Sequence, residues 1–406
     1  MIKMQNEKQI NDMNESILLI TKDALCKDYL PIYGNRYWTG KTPNIDELAK
    51  KGTVFHRQYT AAPSTVMAFR AMATGKFAYE QPYSNYTPKE VESGENDLFE
   101  IAKNRGYEGH LIWDSTWVKM VLRYGNCYGK STIIHNMKDI KQAVGCHYKH
   151  DGKLESNEDI VNDTINRIVN EIKSILHNTP KAFIWIHLPH VINGRTAYGG
   201  DIDAFDSLIG LMRQLFADDN IFISADHGNM NGYKGKWCYG FDVNSPAIEI
   251  PLISPKIEGL SECNDLTSNV DLKTLLFDRK IIRREYVFTD SAYYAQPHRK
   301  LAIVNSNFAY IYNKADKTEE LYDLENDYYE RCNLLKANGY DPDRHLTSPI
   351  RDYYYSPHWD RVNEIVDMFR NIRDEIWKTG TPYEEFKEKY LRRVKQIIVK
   401  MKVKLK

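Results

Sequence analysis

Three stretches of this sequence are apolar for the length of a β-strand and then end in side chains that bind metals or move protons. They are SILLITKDAL (16–25), KAFIWIHLP (181–189) and NIFISADHG (220–228). A strand with no polar alternation is buried on both faces, the condition of a parallel sheet covered by helices on both sides. Helical patterns separate these strands. In TPNIDELAKKG (42–52), Thr42 suits the cap, Pro43 the first turn and Gly52 the stop. PSTVMAFRAMATG is a turn running into a helix, and DLFEIAKNRG (97–106) ends on glycine before a strand in YEGHLIWD. Residues 156–177 put Ile160, Ile165, Ile168, Val169, Ile172 and Ile175 on one helical face. Residues 201–217 also read as helix, and VFHRQYTAA as a further strand. The alternation predicts an α/β fold with a central, mostly parallel sheet flanked by helices. In such sheets ligands sit beyond the carboxyl ends of the strands, where Asp23, His187, Asp226 and His227 fall.

The chain has 406 residues, more than the roughly 250–300 at which a single core stops growing. The expected division is a catalytic domain over 1–300 and a small α+β subdomain over 301–406. In the second part, HRKLAIVNSNFAYIYN reads as an antiparallel hairpin and 357–379 as a helix, followed by a basic amphipathic helix over 383–402. That tail aligns Phe386, Tyr390, Val394, Ile397, Ile398 and Met401, with nine Lys/Arg against three Glu from 383 to 406. Three readings stand for it: a docked helix with a solvated basic face, a foot on anionic membrane lipid, or a subunit contact. Lys+Arg and Asp+Glu are 55 each, so global charge gives no reason to expect a nucleic-acid partner. The polar N-terminus lacks the apolar stretch of a secretory signal. No apolar run approaches the ~20 residues of a membrane span. The six cysteines are scattered without a CxxC pair, which reads as reduced thiols and a cytoplasmic location.

Adjacent carboxylate and imidazole in SADHG suit a divalent cation, with zinc or manganese favoured by the nitrogen donor and calcium or magnesium as alternatives. Asp23 supplies a second carboxylate. In APSTVMAFR, Ser64 and Thr65 stand at a helix N-terminus, where amide N–H groups and the helix dipole favour an anion. A hydroxyl there serves either as a helix cap or as a metal-activated nucleophile.

Taken together, these residues resemble the sulfatase-like branch of the alkaline phosphatase superfamily over roughly residues 15–335. ILLITKDAL is similar to the family's first strand with its metal-binding Asp. TPNIDELAKKGTVFHRQYTAAPS is similar to its "TPN-D-LA-G--F---Y--AP" stretch. SADHGNMNGYKGKW resembles its later metal segment, and SPAIEIPLISP, SNVDLKTLL and ELYDLENDYYERCNLL its remaining signatures. The resemblance implies a nucleophile nine residues before a Thr-Gly pair. That pair is Thr74-Gly75, so the position is Thr65. It implies a divalent metal on Asp23, Thr65, Asp226 and His227.

Sulfatases oxidise a Cys or Ser at that position to formylglycine, which a threonine cannot form. Thr65 is instead similar to the nucleophile of phosphodiesterases and of phosphoethanolamine and phosphoglycerol transferases. Arg70 falls one position late for the sulfatase motif. It is a candidate for a non-bridging phosphate oxygen or for a structural salt bridge. Asp114 and Thr116 stand where sulfatases carry Lys and His, and Tyr239 where they carry a sulfate-binding Lys, with Lys234 and Lys236 as substitutes. His187 and His190, near Asn193 and Arg195, are candidates to face the leaving or entering oxygen. His298 is a candidate for a second metal site with His187 or Asp206. The function these expectations describe is a metal-dependent phosphoester hydrolase or transferase, acting on a small molecule or on a glycan- or lipid-linked envelope precursor. A sulfuric ester hydrolase and a non-catalytic anionic-glycan binder are the alternatives.

Overall fold

The computed structural model describes residues 15–34, 40–80, 97–113, 132–136, 147–148, 154–155, 158–188, 195–236, 239–291, 299–336 and 358–379. The principal elements are, in chain order, Ile17–Lys22 (β1), Pro43–Lys51 (α1), Thr53–Tyr59 (β2), Thr65–Thr74 (α2), Leu98–Asn104 (α3), Glu108–Trp113 (β3), Thr132–Asn136 (β4), Glu158–Asn178 (α4) and Ala182–Leu188 (β5). Then follow Arg195–Met212 (α5), Ile221–Ala225 (β6), Glu249–Ser254 (β7), Leu272–Asp278 (α6), Val287–Asp290 (β8), Lys300–Val304 (β9), Phe308–Asn313 (β10), Thr318–Asp323 (β11) and Val362–Thr379 (α7).

The main sheet runs in the order Glu262–Cys263, β2, β7, β6, β1, β5, β3, β4, with Thr267–Ser268 also paired to β2. Neighbours are parallel except β7, which is antiparallel to β2 and to β6. The sheet is mostly parallel and flanked by helices, as the alternation requires. Helices α1, α4 and α5 cover one face over Leu18, Ile20, Ile184, Ile186 and Ile223. Helices α2, α3 and α6 cover the other over Ile17, Leu19, Phe183, Trp185 and Phe222. Each such buried side chain contributes about 1.5–3 kcal/mol of transfer free energy, which is why β1, β5 and β6 show no polar alternation.

Two helix ends differ from the sequence reading. Helix α5 spans Arg195–Met212 rather than 201–217, running through Gly199 and Gly200. The amide groups that open α1 are taken by Asp206, whose Oδ1 accepts from Asn44 N and Ile45 N at 3.1 and 2.9 Å. Thr42 instead donates its hydroxyl to Asp46.

The second sheet is antiparallel, in the order β8-β9-β10-β11. Strands β9 and β10 are the expected hairpin, turned at Asn305, whose Oδ1 accepts from Asn307 N and Phe308 N. The sheet starts at Val287, before residue 301. Helix α7 packs Ile365, Val366 and Phe369 on one face of it. The other face, through Ala302, Ala309, Ile311 and Tyr322, packs against Met230, Val243, Ala247 and Ile248 in the segment after β6. That segment continues from Asp226 and His227, so the small sheet backs the candidate site. No described helix is long and apolar enough to cross a membrane. The tail helix expected over 383–402 lies outside the described residues.

Candidate active site

The register of the three central strands puts their polar ends side by side. Thr21 pairs with His187 on β5 and with Ser224 on β6. Side chains alternate across a strand, so Thr21 and His187 point to the α2 face along with Leu19 and Trp185. Asp23 follows β1, held by its N–H to Leu188 O at 2.9 Å. Asp226 follows β6, and its Oδ1 accepts from His227 N at 2.8 Å and Ala24 N at 3.1 Å. Ala24 takes the left-handed φ of +57°, a strain of about 1–2 kcal/mol at the turn that aims its N–H at Asp226.

The two ligand-bearing loops are tied again through Cys26. Its Sγ donates to Asn229 O at 2.9 Å and to Pro246 O at 3.1 Å, and accepts from Asn229 N at 3.1 Å. Gly228 is required by close approach: a Cβ there would lie 2.0 Å from Pro246 O.

Helix α2 presents the hydroxyl. Ser64 is its N-cap residue but makes no side-chain capping bond. Its Oγ is buried without a hydrogen-bond partner among the described residues. Thr65, the first helical residue, places Oγ1 3.1 Å from His227 Nε2. His227 Nδ1 donates to Gly228 O at 2.8 Å, which leaves Nε2 with its lone pair toward Thr65. The same Nε2 lies 3.5 Å from Asp23 Oδ1 and 3.5 Å from Asp226 Oδ2. One turn along α2, Phe69 stacks on Trp185 at 4.5 Å and meets His187 edge-on at 4.4 Å.

His187 is set by the strand below it. Trp185 Nε1 donates to Thr21 Oγ1 at 2.9 Å, and Thr21 Oγ1 lies 2.8 Å from His187 Nδ1. His187 Nε2 is buried without a hydrogen-bond partner among the described residues, 4.0 Å from Asp226 Oδ2.

Burial governs the protonation of these groups. It pushes Asp226 up to about 7, against the pull of the His227 and Ala24 amides and the Thr65 hydroxyl. It holds His187 well below the usual histidine range, helped by the charge of Lys22, and lowers His227 as well. Two carboxyl groups therefore face two imidazoles in a buried site. Ligand atoms of Asp23, His187 and Asp226 all lie within 4.8 Å of one another. Buried carboxyl oxygens and imidazole nitrogens that converge in this way fit a divalent cation.

The structure thus brings together Asp23, Thr65, Asp226, His227 and His187. Arg70 is buried in α2, five residues on and so about 140° around the helix from Thr65. Tyr239 packs its ring 4.6 Å from the His227 ring. Lys234 donates to Tyr322 at 2.6 Å and Lys236 to Asp242 at 2.8 Å. Asp206 caps α1 on the opposite face of the sheet. His190, Asn193, His298, Asp114 and Thr116 lie outside the described residues. Thr21, Trp185, Phe69 and Gly228 were not singled out from the sequence. Strand parity and the i, i+4 relation to Thr65 are the signals that point to the first three.

Residues 15–191 match the family model described as Sulfatase. No curated protein matches the sequence. Three of the solved structures that share the fold illustrate the likeness. One is a protein of Bacteroides thetaiotaomicron VPI-5482 assigned to the sulfatases, at 16% identity and TM-score 0.67, covering 92% of this chain and 94% of that one. Another is a 2-O GAG sulfatase, at 15% identity and TM-score 0.65, covering 92% and 94%. The third is the phosphonate monoester hydrolase of Agrobacterium radiobacter, at 16% identity and TM-score 0.60, covering 79% and 91%.

Proposed function

We propose, with membership of the sulfatase-like branch of the alkaline phosphatase superfamily as the premise, that this protein is a metal-dependent phosphoester hydrolase or phosphotransferase with Thr65 as nucleophile. The observation that carries this reading is the Thr65 hydroxyl at a helix N-terminus, 3.1 Å from an imidazole nitrogen that is flanked by two buried carboxylates. Asp23, Asp226 and His227, with Thr65 Oγ, would hold one zinc or manganese ion. Such an ion lowers the pKa of a neighbouring hydroxyl and screens phosphoryl oxygens.

The chain's own residues supply the rest. Thr65 Oγ gives up its proton to solvent and forms a bond to phosphorus while the leaving oxygen departs in line and takes up a proton, giving a phosphothreonine and a free alcohol. Water or an acceptor alcohol then attacks phosphorus and frees Thr65. The amides that open α2 face the phosphoryl oxygens. Trp185 and Thr21 orient His187, which exchanges a proton with the leaving or entering oxygen. Phe69 and Trp113, against the His187 ring at 4.4 and 4.7 Å, exclude water from it. The substrate class is a phosphoester or phosphodiester on a small molecule or glycan. The glycan part is supported by likeness to a GAG sulfatase.

The sulfatase match favours a second reading, a sulfuric ester hydrolase. It lacks the Cys or Ser that formylglycine needs at position 65. Metal content, with turnover of bis-p-nitrophenyl phosphate against p-nitrophenyl sulfate, separates the two. Stoichiometric metal with turnover of the phosphodiester supports the proposal, and activity on the sulfate ester alone overturns it.

A further inference from the structure

Four titratable groups meet on the face of the main sheet opposite Thr65. His110 on β3 pairs with Ile184 on β5, three residues before His187 and so roughly 10 Å back from the ends of the strands. Its strand parity is that of Ile112, on the face covered by α1, α4 and α5. His135 stands beside it on β4, Glu108 opens β3, and Glu171 comes from α4. Glu171 Oε1 lies 2.6 Å from His135 Nδ1, and His135 Nε2 lies 3.0 Å from His110 Nδ1. His110 Nε2 in turn lies 3.0 Å from Glu108 Oε1. That oxygen is held by the Thr179 hydroxyl at 2.8 Å. His110 is buried, and its Nε2 has no well-aligned hydrogen-bond partner among the described residues.

Three close contacts between nitrogen and oxygen atoms need three hydrogens or cations. Two neutral imidazoles carry two N–H groups, so one contact sets lone pair against lone pair. When the outer nitrogens turn their N–H groups to the carboxylates, that contact is the one between the rings. A metal-bound histidine turns its far N–H to a carboxylate in the same way. The ring spacing agrees. A tetrahedral zinc about 2.0–2.1 Å from each nitrogen holds two imidazole centroids about 5.2 Å apart. The His110 and His135 centroids are 5.2 Å apart. Tilting the rings in place widens the nitrogen separation from 3.0 Å to the ~3.3 Å that such an ion spans. Two carboxylates offset the charge of a divalent cation.

We propose that His110 Nδ1 and His135 Nε2 hold a further divalent cation, zinc by preference, with Glu108 and Glu171 orienting the rings and water completing the coordination. Strand β4 ends the order of the main sheet. The ion ties that strand to β3 and, through Glu171, to α4. The site is structural, lies apart from Thr65, and does not rest on the function proposed above.

The test is zinc titration of the full chain against a chromophoric chelator, for wild type, His135→Asn and Glu171→Gln. The expected result is one zinc per chain fewer in His135→Asn than in wild type. In Glu171→Gln that zinc should be held about ten- to hundredfold more weakly, the scale of losing a partner that orients a ligand. Zinc binding that either substitution leaves unaltered overturns the proposal and leaves a shared proton between the rings. If His135→Asn does not fold, Glu171→Gln, on the part-exposed side of α4, decides the matter. Phosphodiester turnover that persists in His135→Asn while this zinc is lost keeps the two sites separate. Should the active site bind no metal, wild type would bind one zinc and His135→Asn none, so the two proposals fail independently.

Discussion

Replacing Gly228 by alanine tests whether the ligand loop is held where the chemistry needs it. The new Cβ would fall 2.0 Å from Pro246 O, so the two segments must part by about 1 Å even to reach the 3.0 Å below which Cβ contacts are essentially never seen. They are not free to part. Gly228 N donates to Ala247 O at 2.9 Å, and Asn229 N to Pro246 O at 3.0 Å. The displacement therefore falls on Asp226 and on His227, whose Nε2 stands 3.1 Å from Thr65 Oγ1 and 3.5 Å from Asp226 Oδ2. A misplacement of 1 Å at reacting groups costs about 10²-fold in rate, or about 2.7 kcal/mol. The assay is kcat/KM on bis-p-nitrophenyl phosphate together with metal stoichiometry. The expected outcome is a fall of about that size with weakened metal retention. The control is Gly106→Ala, at φ +81° with no atom within 4 Å of the added Cβ. It should lose about 1–2 kcal/mol of stability from left-handed strain with turnover intact. Turnover within about threefold of wild type in Gly228→Ala, under a tenfold effect, would refute the positioning argument.

Three further outcomes follow from the same structure. Phe69→Ala removes a fully buried ring between Trp185, Trp113 and His187 and should cost about 3–5 kcal/mol in denaturant unfolding; under 1 kcal/mol would mean that the packing is wrong. Chelation should lower the melting temperature, and added zinc or manganese should restore it. The gain should be larger at pH 8 than at pH 6, because burial leaves Asp226 protonated up to about 7 and a metal must displace that proton; an equal gain at both pH values contradicts this. The Glu319 carboxyl is pulled down to about 2, first by hydrogen bonds from Arg370. Its contribution to holding α7 on the small sheet is present above the unfolded value and lost as the pH falls from about 4.3 to 2. Melts of wild type and Glu319→Gln should therefore differ at pH 6 and converge only below about pH 2.

Much of the fold was legible because burial dictates it. Strands β1, β5 and β6 carry helices on both faces, so their apolar runs announced a parallel sheet and their last residues its working edge. Helices α1 and α3 showed their stops and α4 its apolar stripe, whereas the partner of the α1 amides, Asp206, comes from far along the chain. Helix α5 was misplaced at both ends, since it runs over Arg195–Met212 through Gly199 and Gly200 rather than over 201–217. The small antiparallel sheet was half read. The β9–β10 hairpin has a clear turn at Asn305, whereas Val287–Asp290 is too short to stand out and pairs only once the chain returns. Within the site, ligand types at strand ends could be counted. Contacts made by backbone atoms could not. Ala24 N and Gly228 O fix Asp226 and His227, and no residue type advertises them. The Trp185–Thr21–His187 chain spans two strands, so it exists only once register is set.

The central claim is that Thr65 Oγ is the nucleophile and that the group transferred is phosphoryl. The most direct measurement is steady-state turnover of bis-p-nitrophenyl phosphate and p-nitrophenyl sulfate by wild type, Thr65→Ala and Thr65→Ser. Circular dichroism checks the fold, since Ser64 and not Thr65 holds the cap position. The account predicts a folded Thr65→Ala protein whose phosphodiester turnover is lost by several powers of ten, and a Thr65→Ser protein with measurable activity. A Thr65→Ala protein that still hydrolyses the phosphodiester, or a wild type active on the sulfate ester alone, would contradict it.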